Sequence, residues 1–340
     1  MFASDNCGGV HPRIVDAMVR CAGGTDAAYG EDALTRRVER RLADIFEREC
    51  AVFLVATGTA ANALGLGALA PPYGAIYCHP EAHINTDESG APEMYTGGAK
   101  LVAVDGPDGK IDPEALQRTL DEAVVHGIHR VKPSVVCVTN QTERGAIYRP
   151  ADLVAISLIA KARGLRLFHD GARFANAVAA LGLSPADLTW KAGIDAMSFG
   201  ATKNGAMAAE AIVFFHPDDA RDFGHRRKRA GQLWSKHRFL AAQFDAYLED
   251  DLWLRNAAHA NLMAQRLAAG LSAIPGVVLR HPAEGNEVFA CMPEQMIAGL
   301  ECDGFVFYRW GPGVIRLVTM FTTAAEDVDG LAASARRHAR

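Results

Sequence analysis

The stretch from Leu165 to Asn204 constrains this chain more than any other. It reads LRLFHDGARFANA, then a helical interval, then GIDAMSFGATKNG up to Gly205. Arg166 to His169 has the apolar character of a buried strand. It stops at Asp170-Gly171-Ala172-Arg173, where glycine lets the chain turn out of a sheet. A second apolar strand, Ala196 to Phe199, stops at Gly200-Ala201-Thr202-Lys203-Asn204-Gly205. An acid and a lysine thus stand at the ends of two strands. In an open α/β sheet the ligand crevice lies outside those ends, so both side chains are expected in it.

A lysine in such a crevice can form a Schiff base with a carbonyl, and a buried carboxylate can keep a pyridine nitrogen protonated. Pyridoxal phosphate requires these two protein groups. Taken singly, each residue has an ordinary explanation, a lysine snorkelling at a sheet edge or an aspartate capping a helix. The ordered pair, each after a strand and before glycine or alanine, favours the cofactor.

Three further stretches bear on the same crevice. Ala51 to Ala56 is a continuous apolar strand that runs into Thr57-Gly58-Thr59-Ala60-Ala61-Asn62. Strand, small residues and helix N-terminus together can hold a phosphate on free amides. The G-x-G-x-x-G fingerprint and the Walker lysine are both absent, which disfavours nicotinamide cofactors and ATP. After the strand Ala75–Cys78 come His79, His83, Asp87 and Glu88, without the H-E-x-x-H spacing of a zinc site. An imidazole here can stack on a pyridine ring and move a proton. Arg316 stands inside the apolar run Val314–Val318, where a guanidinium without a carboxylate partner is costly.

H-D-G-A-R followed by S-F-G-A-T-K-N-G resembles the fold type I pyridoxal-phosphate enzymes, more narrowly the L-threonine aldolases of the aromatic amino acid β-eliminating lyase/threonine aldolase group. The resemblance runs from Ser4-Asp5-Asn6 to Arg316. It implies an α/β fold: an aspartate aminotransferase-like large domain with a mostly parallel central sheet, plus a small C-terminal α+β domain. By that resemblance Lys203 anchors pyridoxal 5'-phosphate, Asp170 faces its ring nitrogen, and Arg173 sits beside cofactor and substrate carboxylate. Gly58, Thr59 and Ala60 match the phosphate cup, and His83 matches the stacking histidine. Lys228, in Arg226-Arg227-Lys228-Arg229, matches a residue that reaches a phosphate across a dimer interface. Ser4, Tyr29 and Arg316 match substrate-side positions, and His129 matches a second active-site histidine. Asp87 departs from the family, where an aromatic residue is common, and is expected to orient His83 or a water. The Asn140–Gly145 loop departs from an E-N-T-H-type motif.

Composition narrows the partners. With 35 basic and 40 acidic residues the net charge is −5, which leaves no basic surplus for nucleic acid. Seven cysteines without a C-x-x-C pair suggest neither a disulfide framework nor a metal site, and read as reduced thiols in a cytoplasmic protein. MFASDNCGGVHP lacks the pattern of a signal peptide, and no apolar run suggests a membrane span. A long helix is expected from about Arg238 to Ile274. The domains are expected at 1–250 for cofactor binding, with the N-terminal segment contributing to the site, and 251–340 for the small lobe.

The implied reaction is reversible retro-aldol cleavage of L-threonine, L-allo-threonine or a related L-β-hydroxy-α-amino acid such as phenylserine, to glycine and an aldehyde. Arg316, with Arg173 and Ser4, would clamp the α-carboxylate, and His83, directly or through a water, would take the β-hydroxyl proton. Active sites shared in a homodimer or homotetramer are expected. The alternatives are β-elimination from an amino acid, and binding of the cofactor without catalysis.

Overall fold

The computed structural model describes residues 1–125 and 127–339. Seven strands form one sheet: β1 (Ala51–Val55), β2 (Gly74–Cys78), β3 (Lys100–Ala103), β4 (Lys132–Thr139), β5 (Arg166–Gly171), β6 (Ala196–Gly200) and β7 (Glu210–Phe214). Their order across the sheet is β1-β7-β6-β5-β4-β2-β3. Neighbours run parallel except at β7, which pairs antiparallel with both β6 and β1.

Both faces of this sheet are covered, so its strands are apolar without alternation. On β7, Ala211 and Val213 join an apolar cluster containing Phe46, Phe199 and Trp253, while Ile212 and Phe214 join another containing Phe168 and Phe223. The helix Gly58–Leu69 lies on the second face and comes unusually close. A Cβ added at Gly65 would meet the Phe168 ring at 2.6 Å. That approach sets where the helix N-terminus stands at the crevice.

The expected helix from Arg238 to Ile274 is two helices, Arg238–Leu248 and Leu252–Ser272. Asp250 and Asp251 between them have φ of 51° and 54°, a left-handed conformation that ends the first helix. The second helix carries Trp253 and Ala257 in the large core, and Met263 and Leu267 in the small one. The second helix thus begins just past the expected junction at 250/251 and contributes to both cores. Among the described residues no helix is long and apolar enough to cross a membrane.

The small lobe is a four-stranded antiparallel sheet in the order β10-β11-β9-β8, made of β8 (Val278–Leu279), β9 (Glu287–Cys291), β10 (Tyr308–Gly311) and β11 (Val314–Val318). The N-terminal segment, expected with the large domain, packs against the small lobe. Phe2 is fully buried in the small lobe's core, donating to Val306 O at 2.7 Å and accepting from Val318 N at 2.8 Å. An apolar residue two positions into the chain is covered best by the lobe whose sheet edge it meets.

Candidate active site

The connections after β1, β2, β4, β5 and β6 converge at the carboxyl ends of those strands, where the N-terminal segment and the small lobe meet them. β5 carries Asp170 to the crevice. Its carboxylate is 2% exposed and accepts from Asn62 Nδ2 at 2.8 Å and Ala172 N at 3.0 Å. β6 delivers Lys203 on a single 3-10 turn, Thr202–Asn204. That turn is fixed from below: Asn204 Nδ2 donates to Tyr247 Oη and Trp253 O, both at 2.8 Å, and its carbonyl accepts from Asn256 at 2.9 Å. Gly205, at φ 116°, closes it in a conformation that side chains strain to adopt. Behind Lys203 lies the buried Glu210, pushed up to about 7 chiefly by burial, with the lysine charge opposing that rise.

Asp170 and Lys203 line one narrow slot, together with Gly58, Asn62, His83 and Thr139. The slot opens into a cleft of about 550 Å³ whose walls include Ser4, Asp87, Trp310 and Arg316. At the slot's end Thr57 caps the helix Gly58–Leu69. Its hydroxyl accepts from Ala60 N at 3.2 Å. Of the expected phosphate cup, Ala60 therefore has its amide taken by the cap, and Gly58 and Thr59 remain at the open helix end. A Cβ at Gly58 would meet nothing within 4 Å, so an anion can approach that backbone.

His83 follows β2 and is oriented by Glu88 rather than by Asp87. Its Nδ1 lies 2.8 Å from Glu88 Oε1, and that same oxygen accepts from Asn62, which bridges to Asp170. The Glu88 bond raises the His83 pKa against the effect of burial, while burial raises that of Glu88. Asp87 stands exposed at the cleft rim, accepting from the Thr86 hydroxyl at 2.8 Å. The correction is one of direction: a short helical turn points residue 88 back under the imidazole and residue 87 outward.

The two arginines expected to share one task are differently placed. Arg173 gives Nε and Nη2 to Asp5 at 2.7 and 3.0 Å, a bidentate pair in which Asp5 is also held by Asn286. Burial alone would raise the Asp5 pKa, but Arg173 and Lys203 outweigh it and hold the carboxyl below its ordinary value. Arg173 is thereby committed within the chain. Arg316 has only Ala3 O at 3.3 Å and a 3.8 Å approach to Glu287, and its Nε is buried without a hydrogen-bond partner. Its guanidinium lies 5.1 Å from the Tyr308 ring and 4.8 Å from the Trp310 ring. Of the two arginines expected in the clamp, Arg316 is the one without a close carboxylate, and it lines the cleft with Ser4, whose Oγ accepts from Asn6 N at 3.1 Å.

Three expected positions lie elsewhere. His129 is exposed on a turn before β4, at the opposite end of the strands from Lys203, beside Lys100, Val102 and Thr119. A histidine that precedes a parallel strand is carried to the wrong end of the sheet, so it does not join this cleft within one chain. Tyr29 and Lys228 pair with each other instead, with the ammonium 4.6 Å from the ring, outside the residues that line the cleft.

Sequence reasoning missed Asp5, Asn62, Glu88, Gln141, Glu143 and Glu287. Asn62 and Glu287 sit within or beside apolar segments, a placement that could have flagged them; Glu88 and Glu143 lie in polar runs that carry no such signal.

A family model described as beta-eliminating lyase matches residues 2–295. The chain belongs to that family. It is 45% identical over 336 residues to a low specificity L-threonine aldolase of Pseudomonas sp. (strain NCIMB 10558), covering 98% of this chain and 96% of the relative. It is 46% identical over 337 residues to a protein of the same name from Pseudomonas aeruginosa, with the same coverage. A solved threonine aldolase of Leishmania major superposes with a TM-score of 0.92 at 32% identity, over 100% of this chain and 99% of that one. The family depends on pyridoxal phosphate, and the donor set here fits it: an amine, a carboxylate held by an amide, an imidazole and an open helix N-terminus around one slot.

Proposed function

We propose that this chain is a pyridoxal phosphate-dependent aldehyde-lyase that cleaves L-threonine, L-allo-threonine or a related β-hydroxy-α-amino acid, phenylserine included, to glycine and an aldehyde, and reverses the reaction. The observation that carries the reading is Arg316, a half-buried guanidinium whose nearest carboxylate oxygen, on Glu287, is 3.8 Å away and whose buried Nε has no partner, lining the same cleft as Lys203. Pyridoxal phosphate, when bound, supplies an electron sink for the pair released from a broken bond at the substrate α-carbon.

Lys203 would hold the cofactor covalently until substrate arrives, and Asp170 would hold a proton at its ring nitrogen, with Asn62 and Ala172 N fixing the carboxylate. Gly58 and Thr59 would bind its phosphate, and His83 would lie along the ring. Arg316 and Ser4 would orient the α-carboxylate, and that orientation selects which bond at the α-carbon breaks. Sole responsibility of His83 for the β-hydroxyl proton fits less well, because Glu88 favours the charged imidazole.

The exposed Tyr29–Lys228 pair supports a homodimer or homotetramer in which these residues meet a second copy's site. Sedimentation showing a fully active monomer would defeat that part. Seven free thiols support a cytoplasmic protein. The test of the reaction is incubation with threonine, allo-threonine and phenylserine while aldehyde, glycine and pyruvate are followed. Aldehyde with equimolar glycine is the expected result. Pyruvate with ammonia would replace the reading by β-elimination, and cofactor uptake without any product would replace it by binding alone.

A further inference from the structure

The loop after β4 holds a group that none of the roles above uses. Glu143 belongs with His83, Arg173 and Lys203 to the four residues lining both the slot and the outer cleft, so it stands where cofactor and substrate must meet. Its Oε1 is fixed twice, accepting from His83 N at 2.8 Å and from the Thr139 hydroxyl at 2.9 Å. Its Oε2 is buried with no partner. An unpartnered carboxylate oxygen in the interior is costly unless something supplies its hydrogen bond.

We propose that Glu143 Oε2 is the proton acceptor and donor for the substrate's β-oxygen, a role that rests on the aldehyde-lyase reading above. In cleavage the β O–H bond breaks and its proton passes to Oε2. The O–H electron pair forms the aldehyde C=O as the Cα–Cβ bond breaks, and bound pyridoxal phosphate would supply the sink for the pair released at Cα. Lys203, free of the cofactor once substrate has replaced it, delivers a proton to Cα to complete glycine. Glu143 and Lys203 regain their starting forms by exchange with water in the open cleft. In synthesis Oε2 returns its proton to the aldehyde oxygen.

The surroundings suit a group that must both take and give a proton near neutrality. Burial, and after it the carboxylate of Asp170 on β5, push the Glu143 pKa up to about 7, against the hydrogen bonds from His83 N and Thr139. Arg173 faces it from beyond β5, Lys203 and the His83 ring share its cavity, and the thiols of Cys78 and Cys137 and the Tyr148 hydroxyl lie beneath it. His83, whose charged form the Glu88 hydrogen bond favours, is left to the cofactor face.

The decisive variant is Glu143→Gln, which keeps an oxygen for His83 N and Thr139 but takes no proton. Three measurements on the cofactor-loaded protein are compared with wild type: cofactor affinity and spectrum, aldehyde release from threonine, and exchange of the glycine α-proton with D2O. Affinity and spectrum should not change, and glycine exchange should stay within about threefold, since glycine has no β-oxygen. Aldehyde release should fall at least ~100-fold in kcat with KM little moved. The acid limb of the kcat profile near pH 7 should vanish. Glu143→Asp, which withdraws the carboxyl but keeps its chemistry, should recover part of the rate. In the cofactor-free protein, difference infrared titration should show a carboxylic acid band lost with a midpoint near 7 in wild type and missing from Glu143→Gln. Aldehyde release within threefold of wild type overturns the proposal. So does a parallel fall in glycine exchange and aldehyde release, which marks a merely structural role. A wild-type protein that binds cofactor and exchanges glycine but releases no aldehyde defeats the function reading itself, and this proposal with it.

Discussion

The slot and the outer cleft face each other yet are built on different principles. Thr139, Asp170 and Lys203 of the slot stand at or just past the ends of strands in one sheet layer, with the helix N-terminus at Gly58 beside them, and most are fixed by main-chain or amide partners close by. The outer cleft is assembled from the N-terminal segment, the loop after β4 and two strands of the small lobe. It is held together by charged pairs such as Arg173 with Asp5 and by Gln141 bridging Asn286 and Glu287 at 3.1 and 2.9 Å. The slot is thus a property of the sheet, whereas the cleft depends on how two lobes meet. The contrast teaches that cofactor retention and substrate grip are separable by mutation.

The largest effect should come from the slot. Lys203→Ala is expected to reduce aldehyde release to background and to leave the protein without the visible absorbance of a lysine-bound cofactor; retained turnover would sink the mechanism. Asp170→Asn should still take up cofactor but lose roughly 10²–10³-fold in kcat, the usual scale for removing one group that stabilises developing charge. Near-native turnover would end its assigned role. In the cleft, Arg316→Ala should leave the cofactor spectrum unchanged while costing about 2–4 kcal/mol in kcat/KM, because a misaimed α-carboxylate both binds and reacts poorly. If that variant lost its colour, the two regions would not be independent and the comparison would fail. The smallest effect should be that of Trp310→Ala, which removes one of two rings beside the guanidinium. A rise in KM worth ~0.5–1 kcal/mol is expected, read in steady-state kinetics with the spectrum again as control.

What could be read from the sequence follows the same division. Asp170 and Lys203 were legible because a buried strand and the turn that ends it are local, and the type of residue at the turn is then informative. Gly58 and His83 were legible for the same reason. Arg316 was visible as a charge inside an apolar strand, but its companions were not. Asp5 is separated from Asn286 by most of the chain, and nothing local says that they touch. His129 shows the limit from the other side: its residue type suited the chemistry, yet it precedes a parallel strand and is delivered to the far edge. The antiparallel placement of β7 between β1 and β6 was equally beyond reach, since a strand buried on both faces has no pattern that tells its direction. Glu143 escaped notice because its value lies in burial, and the flanking polar residues Gln141, Thr142 and Arg144 made the loop look solvated.

The first few residues deserve a mechanical reading. Phe2 is anchored among the small lobe's apolar side chains, while three positions later Asp5 is tied to Arg173 on the far side of the cleft. Ser4, between them, faces the substrate space. A short stitch thus sews the lobe to the sheet and passes through the reaction chamber on the way. Any rocking of one half against the other must drag Ser4 along, so its hydroxyl moves with the walls of the cleft.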